Sequence, residues 1–180
     1  MPRYRRSHVP GTTYFFTVNT YRRQHLLTHP EVLATLRTAF RTVRTQYPFR
    51  IDTLVALPDH LHTLWTRPPG DADYAVRWSL IKRQVSQSTR HLVVQAQTTS
   101  RINRREIGFS QRRYWEHLIR DDADFERHVD YVHYNPVKHK LVEQVRDWPY
   151  STFHRYVRLG LCPKDWAGGD IVATEGDFGE

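Results

Sequence analysis

Cysteine is almost missing from this 180-residue chain, with Cys162 standing alone. One thiol can form neither an internal disulfide nor a thiolate zinc cluster, which excludes a disulfide-stapled scaffold and agrees with a reducing compartment. Long apolar runs are lacking too, since no stretch approaches the roughly 18 to 20 residues that span a bilayer. The opening "MPRYRRSHVPGTTYFF" has basic residues but neither an uninterrupted apolar segment nor a small-residue cleavage site, so it does not read as a secretory signal. These absences predict a soluble, cytoplasmic protein with no membrane partner. Apolar residues at 39% and aromatics at 13% exclude a disordered chain. No internal repeat or linker divides the sequence, so a single domain over residues 1–167 is expected.

Lysine is the second scarcity. Of 27 basic residues only Lys82, Lys138, Lys140 and Lys164 are lysines, leaving 23 arginines in a chain of net charge +8. Arginine grips phosphate with a bidentate fork and stacks on bases, so nucleic acid is the leading partner and an unliganded basic surface the plainer alternative. The last stretch, "GGDIVATEGDFGE" (168–180), carries four acids and no base, and is expected to be a flexible acidic tail.

Between these limits the patterning predicts an α+β fold. "TTYFFTVNT" (12–20) joins aromatic and β-branched residues as a strand does. A helix follows, with Thr28 as N-cap, Pro30 in its first turn, and Val32, Leu33, Leu36, Ala39, Phe40 and Val43 at helical spacing. "FRIDTLVAL" (49–57) and "HLHTLWT" (60–66) form a hairpin around Pro58 and Asp59, and 71–92 a second helix capped by Asp71 or Asp73. Residues 93–113 are polar and predict a loop, and "YWEHLIR" (114–120) a further strand. "DDADFERHVDYVHYN" predicts a helix begun by Asp121 or Asp122 and stopped by Pro136. This order is that of a ferredoxin-like split βαβ sandwich, an antiparallel sheet with helices on one face, here with extra C-terminal helices.

Within "VALPDHLHTLW" (55–65), strand alternation puts His60 and His62 on one face and Leu61 on the other. Two imidazoles about 7 Å apart along a strand can converge on one cation as neutral nitrogen donors. A surface or structural pair is the alternative. As an open site, the pair is expected to add little to the core. On the last helix, at about 100° per residue, Phe125, Val129, Val132 and Pro136 define a core stripe. Asp124, His128, Tyr131 and Asn135 share a polar flank beside it, while Tyr134 falls opposite the core, toward solvent. Tyr131 and Asn135, one turn apart, suit a phenol nucleophile beside an oxygen ligand for a hard cation. They equally suit a half-buried aromatic and a helix cap before proline, and helical geometry alone leaves both open.

Four stretches, "YFFTVNT", "LPDHLHTLW", "YWEHLIRDDADFERHVDYVHYNPVKHKLV" and "DWPYSTFHRYVRLGLCPKDWAG", together resemble the REP-associated tyrosine transposases. These belong to the single-tyrosine HUH (His-hydrophobe-His) transposases of small bacterial insertion sequences. The resemblance runs over most of the chain, and its last two stretches are the specific ones. It implies that His60 and His62 are the metal-binding pair, Tyr131 the nucleophile and Asn135 the third metal-ligand position, with Mg²⁺ or Mn²⁺ as cofactor. The implied activity is cleavage and rejoining of single-stranded DNA at palindromic hairpins flanked on the 5′ side by a short tetranucleotide. It runs through a 5′-phosphotyrosine without a nucleotide cofactor, in a monomer at the bacterial nucleoid. Lys140 stands where glycine often follows "NPVKH", and the polar stretch around 93–110 is longer than the family pattern.

Grip on such a hairpin is expected from Arg3, Arg5, Arg6, Arg101, Arg104, Arg105, Arg112 and Arg113 on phosphates, with Tyr4, Tyr114 or Trp115 stacking on unpaired bases. Tyr114 and Trp115 fit a core equally well. Two other classes compete. A non-catalytic nucleic-acid-binding module on a ferredoxin-like sheet suits the arginines but gives no reason for His60, His62, Tyr131 and Asn135 to coincide. A phosphoesterase using the two histidines as acid and base calls for a second histidine motif, and none stands out.

Overall fold

The computed structural model describes residues 9–93, 110–111 and 113–168. Strand β1 (Thr13–Asn19) leads to helix α1 (Pro30–Gln46), the hairpin β2 (Arg50–Ala56) and β3 (His60–Thr66), and helix α2 (Tyr74–Ser88). Then come β4 (Trp115–Leu118), α3 (Asp122–Lys138) and the short α4 (Phe153–Arg158). The sheet order is β2-β3-β1-β4 with antiparallel neighbours throughout, the split βαβ arrangement the patterning predicts.

Alternation along the strands sorts two cores. Tyr14, Phe16, Val18, Leu61 and Trp65 face α1 and α2, and Trp65 stacks on Trp78 with ring centroids 4.2 Å apart. All six apolar positions read from the α1 pattern are buried there. The N-cap is His29 rather than Thr28 and makes no side-chain cap bond; Pro30, with its fixed φ and no N–H to satisfy, starts the helix. In α2 the cap is Asp73, which accepts the Val76 N–H at 3.0 Å, whereas Asp71 pairs with buried Arg77.

The second face carries Phe15, Val55 and Leu64 and is covered by Val129, Tyr131 and Val132 of α3. Asp121 is the N-cap, accepting the Asp124 N–H at 2.7 Å. The helix does not stop at Pro136. Proline removes one helical N–H but leaves its own carbonyl usable, and the end closes one turn later, where Leu141 N–H reaches Pro136 O at 2.9 Å and Lys140 N–H reaches Val137 O at 2.9 Å. This Schellman closure holds Lys140 at φ +57°, a left-handed position where glycine is at ease, and so gives a physical sense to the lysine-for-glycine departure.

The segment after α3 covers the outer edge of β2. Thr152 N–H donates to Leu54 O at 2.8 Å, Ala56 N–H to Tyr150 O at 2.9 Å, and the Trp148 indole to Ala56 O at 3.0 Å. The strand groups that would invite another chain are thereby occupied. Of the expected polar loop, Val93, Ser110, Gln111 and Arg113 are described, and Ser110 bridges to Thr20. Of the expected acidic tail only Gly168 falls within the described residues. Among those residues no helix is long and apolar enough to cross a membrane.

Candidate active site

The site forms where β3 and α3 meet. His60 and His62 share the face that α3 covers, and Leu61 points to the opposite core. Their ring centroids lie 4.8 Å apart. Far from being an open pair, His62 is 0% and His60 2% exposed, which corrects the expectation that they contribute little to the core. The reason is the polar flank of α3: it lies against the sheet because the sheet offers imidazoles and hydroxyls there for it to meet.

Each ring is oriented by a partner. The Asp59 carboxylate can only accept, so His60 donates from Nδ1 to Asp59 Oδ1 at 2.7 Å, and neutral His60 then carries its lone pair on Nε2. Burial pushes the Asp59 carboxyl up, but the His60 bond and the nearby Arg23 guanidinium outweigh it and hold it below its ordinary value. His62 Nδ1 sits 2.9 Å from Thr17 Oγ1, and its ring stacks on Phe15 with centroids 5.4 Å apart.

Tyr131, 3% exposed, meets the His62 ring edge to face at 5.2 Å, so the pair and the phenol expected from the sequence do come together. Asn135 is wholly buried one turn further along the same helix. Two residues absent from the sequence reading join them. The Lys138 ammonium donates to the Tyr131 hydroxyl at 3.3 Å, and the His139 ring lies 5.1 Å from His60. Helical spacing from Tyr131 could have flagged both, had the helix been extended past Pro136. Tyr134 takes the other side of α3, as expected, but is half-buried rather than solvent-facing. A β-carbon on Gly168 would fall 2.5 Å from its ring, so the chain passes directly over it.

A second polar cluster adjoins the first across Phe15, whose ring is 4.9 Å from His128. Ligand-capable atoms of His117, Asp124 and His128 lie within 4.8 Å of one another, a group that could hold a metal ion. Hydrogen bonds already connect it: His117 donates to Asp124 Oδ2 at 2.8 Å, the Arg120 backbone N–H adds a bond at 3.1 Å, and His128 donates to the Asp124 carbonyl at 2.7 Å. Burial pushes the Asp124 carboxyl up, but the His117 and Arg120 bonds prevail and hold it well below the carboxylate range. Burial also lowers the His128 pKa and favours its neutral form. His117 was missed in the sequence; its alternation with Trp115 on β4, facing an Asp124/His128 pair one turn apart, was the available signal.

The arginine excess divides. Arg67 and Arg77 are buried and structural: Arg67 lies 4.8 Å over the Tyr14 ring and donates to Val9 O, and Arg77 binds Asp71 and the carbonyls of Tyr47 and Pro48. Arg113 is exposed. Arg3, Tyr4, Arg5, Arg6, Arg101, Arg104, Arg105 and Arg112 lie outside the described residues. Tyr114 and Trp115 pack against the first and second cores respectively, which favours the core reading of both.

A protein of Escherichia coli K12, a REP-associated tyrosine transposase, is 46% identical over 169 residues, 93% of this chain and 92% of its own. The chain belongs to the REP-associated tyrosine transposases. A Haemophilus influenzae protein carrying the same family name is 42% identical over 181 residues, covering 99% of this chain and 100% of its own. The solved structure of a REP-associated tyrosine transposase bound to a REP hairpin superposes with a TM-score of 0.84 at 44% identity, covering 100% of this chain and 98% of that one. No protein-family model matches the chain. Within the fold, the buried histidines His60, His62 and His128, the Tyr131 phenol and the Asn135 amide gather between the sheet and α3.

Proposed function

We propose that this chain cleaves and rejoins single-stranded DNA at REP-type palindromic hairpins, with Tyr131 as the nucleophile. The single observation that carries the reading is the contact of the Tyr131 ring with His62, centroids 5.2 Å apart, which joins a phenol to the histidine pair. The hairpin in the related solved structure supports the substrate class.

The donor set fits a divalent cation. His60 keeps Nε2 as its lone-pair nitrogen because Asp59 holds Nδ1, the carboxylate–imidazole pairing usual behind metal-binding histidines. His60, His62 and Asn135 would hold Mg²⁺ or Mn²⁺, and bound there such an ion supplies charge to the scissile phosphate and the departing oxygen. Tyr131 does the covalent work. Its oxygen forms a bond to phosphorus as the bond to the 3′ oxygen breaks; the phenol proton passes to solvent, and the departing 3′ oxygen takes a proton from water. The 5′-phosphotyrosine keeps the phosphodiester energy, so a second 3′-OH can displace the phenol and join strands without a nucleotide cofactor. The His60, His62 and Tyr131 rings meet within a single chain, and we take the chain to act as a monomer.

The test is a labelled stem-loop with a single-stranded 5′ flank, taken from DNA beside the chain's own gene. Wild type and Tyr134→Phe are expected to give a covalent protein–DNA adduct with Mg²⁺ or Mn²⁺ and none in EDTA, and Tyr131→Phe to give none while still binding the hairpin. An adduct that survives in Tyr131→Phe contradicts the nucleophile; undiminished cleavage in EDTA contradicts the metal.

A further inference from the structure

The exposed side chain of Lys138 reaches back two turns along α3 to the buried Tyr131. Its ammonium donates to the phenol oxygen at 3.3 Å and stands 4.9 Å over the ring. That position has a direct consequence for a phosphoryl group bonded to the same oxygen. The non-bridging oxygens of a phosphate lie one bond from phosphorus, close beside the bridging oxygen, so they enter the hydrogen-bonding reach of Nζ as the new bond forms. Lysine is also a scarce choice here, one of four against 23 arginines. A compact ammonium on a flexible stem can follow a phosphoryl group as it moves, where a planar guanidinium fork would fix one geometry.

We propose that Lys138 is a catalytic residue, a cation that neutralises the non-bridging oxygens of the phosphoryl group passing to and from Tyr131. The inference rests on Tyr131 being the nucleophile. Lys138 exchanges neither electrons nor a proton in the step. As the bond from the Tyr131 oxygen to phosphorus forms and the bond to the 3′ oxygen breaks, its N–H groups move from the phenol to the phosphoryl oxygens, and they return when a 3′-OH displaces the phenol. Preorganised charge of this kind is the commonest large contribution to phosphoryl transfer.

Single-turnover adduct formation at saturating hairpin, with hairpin affinity measured alongside, tests the assignment. Lys138→Met is expected to slow adduct formation by about 100-fold, as loss of one preorganised donor does, with affinity changed by less than about threefold, while Lys138→Arg stays within about tenfold of wild type. On a hairpin with an uncharged methylphosphonate at the scissile position, the Lys138→Met penalty should shrink to less than about threefold, because the charge it answers is gone. A Lys138→Met rate equal to wild type, an equal loss in Lys138→Arg, or an undiminished penalty on the methylphosphonate would each overturn it. Tyr131→Phe separates the two levels: an adduct that persists there overturns the nucleophile, whereas an adduct lost there but unchanged in Lys138→Met overturns Lys138 alone.

Discussion

His62 touches Thr17, Phe15 and Tyr131 from a fully buried position, so it is part of the second core as well as a candidate ligand. Truncation to alanine leaves a cavity and an unmatched hydroxyl, and His62→Ala is expected to lose about 2–4 kcal/mol of unfolding free energy in urea, on the scale of other large-to-small core changes. An unchanged denaturation midpoint would contradict the buried placement. Lys140 offers the opposite sign. Held at φ +57° by the Schellman closure, it bears steric strain that glycine lacks, and Lys140→Gly is expected to raise stability by about 1 kcal/mol. A lower melting temperature for that variant would show that the lysine side chain contributes more than its backbone strain costs.

At the scale of the element, α3 decides what the fold can do. It is pinned to β4 through Asp124, which is buried and accepts from His117 and Arg120. Because its carboxyl is held below its unfolded value, the stability it contributes is complete above the ordinary aspartate range, about pH 4, and is lost as pH falls below it. Asp124→Asn is therefore expected to melt lower than wild type at neutral pH and to decline less steeply on acidification; parallel curves for the two proteins would refute the tie. The helix also shows what a sequence conveys. Its register, its cap at Asp121 and the gathering of Asp124, His128, Tyr131 and Asn135 follow from a period of about 3.6 residues. Its burial does not, because a polar flank reads as solvent-facing until a polar sheet face lies opposite, and that face comes from His62 and Thr17, on strands distant in the chain. Lys138 and His139 were hidden for a simpler reason. Proline is read as a stop, yet here the helix continues past Pro136 because its end closes through the carbonyls of Pro136 and Val137.

Over the whole molecule, the β-α-β-β-α-β order was legible because each strand and helix has a clean period. The edge cover by Trp148, Tyr150 and Thr152 was not, since it depends on backbone bonds to a strand about a hundred residues earlier, as in the Thr152 bond to Leu54. Charge was only partly legible: Arg67 and Arg77 are spent on the fold, and composition cannot separate them from arginines that reach a ligand. The net charge of +8 nevertheless predicts hairpin binding that weakens steeply with salt as phosphate contacts release counterions. Cleavage should require a single-stranded flank, because presenting a paired phosphate to a helix-borne phenol costs a few kcal/mol of unpairing. A hairpin with that flank is expected to be cut and the full duplex of the same sequence left intact; equal cutting of both would move the protein toward an ordinary nuclease. The most direct measurement is to trap the protein–DNA adduct, digest the protein and sequence by mass spectrometry the peptide that carries the nucleotide. A nucleotide joined through its 5′ phosphate is expected on Tyr131, and finding it on Tyr134 or on any other residue would contradict the assignment.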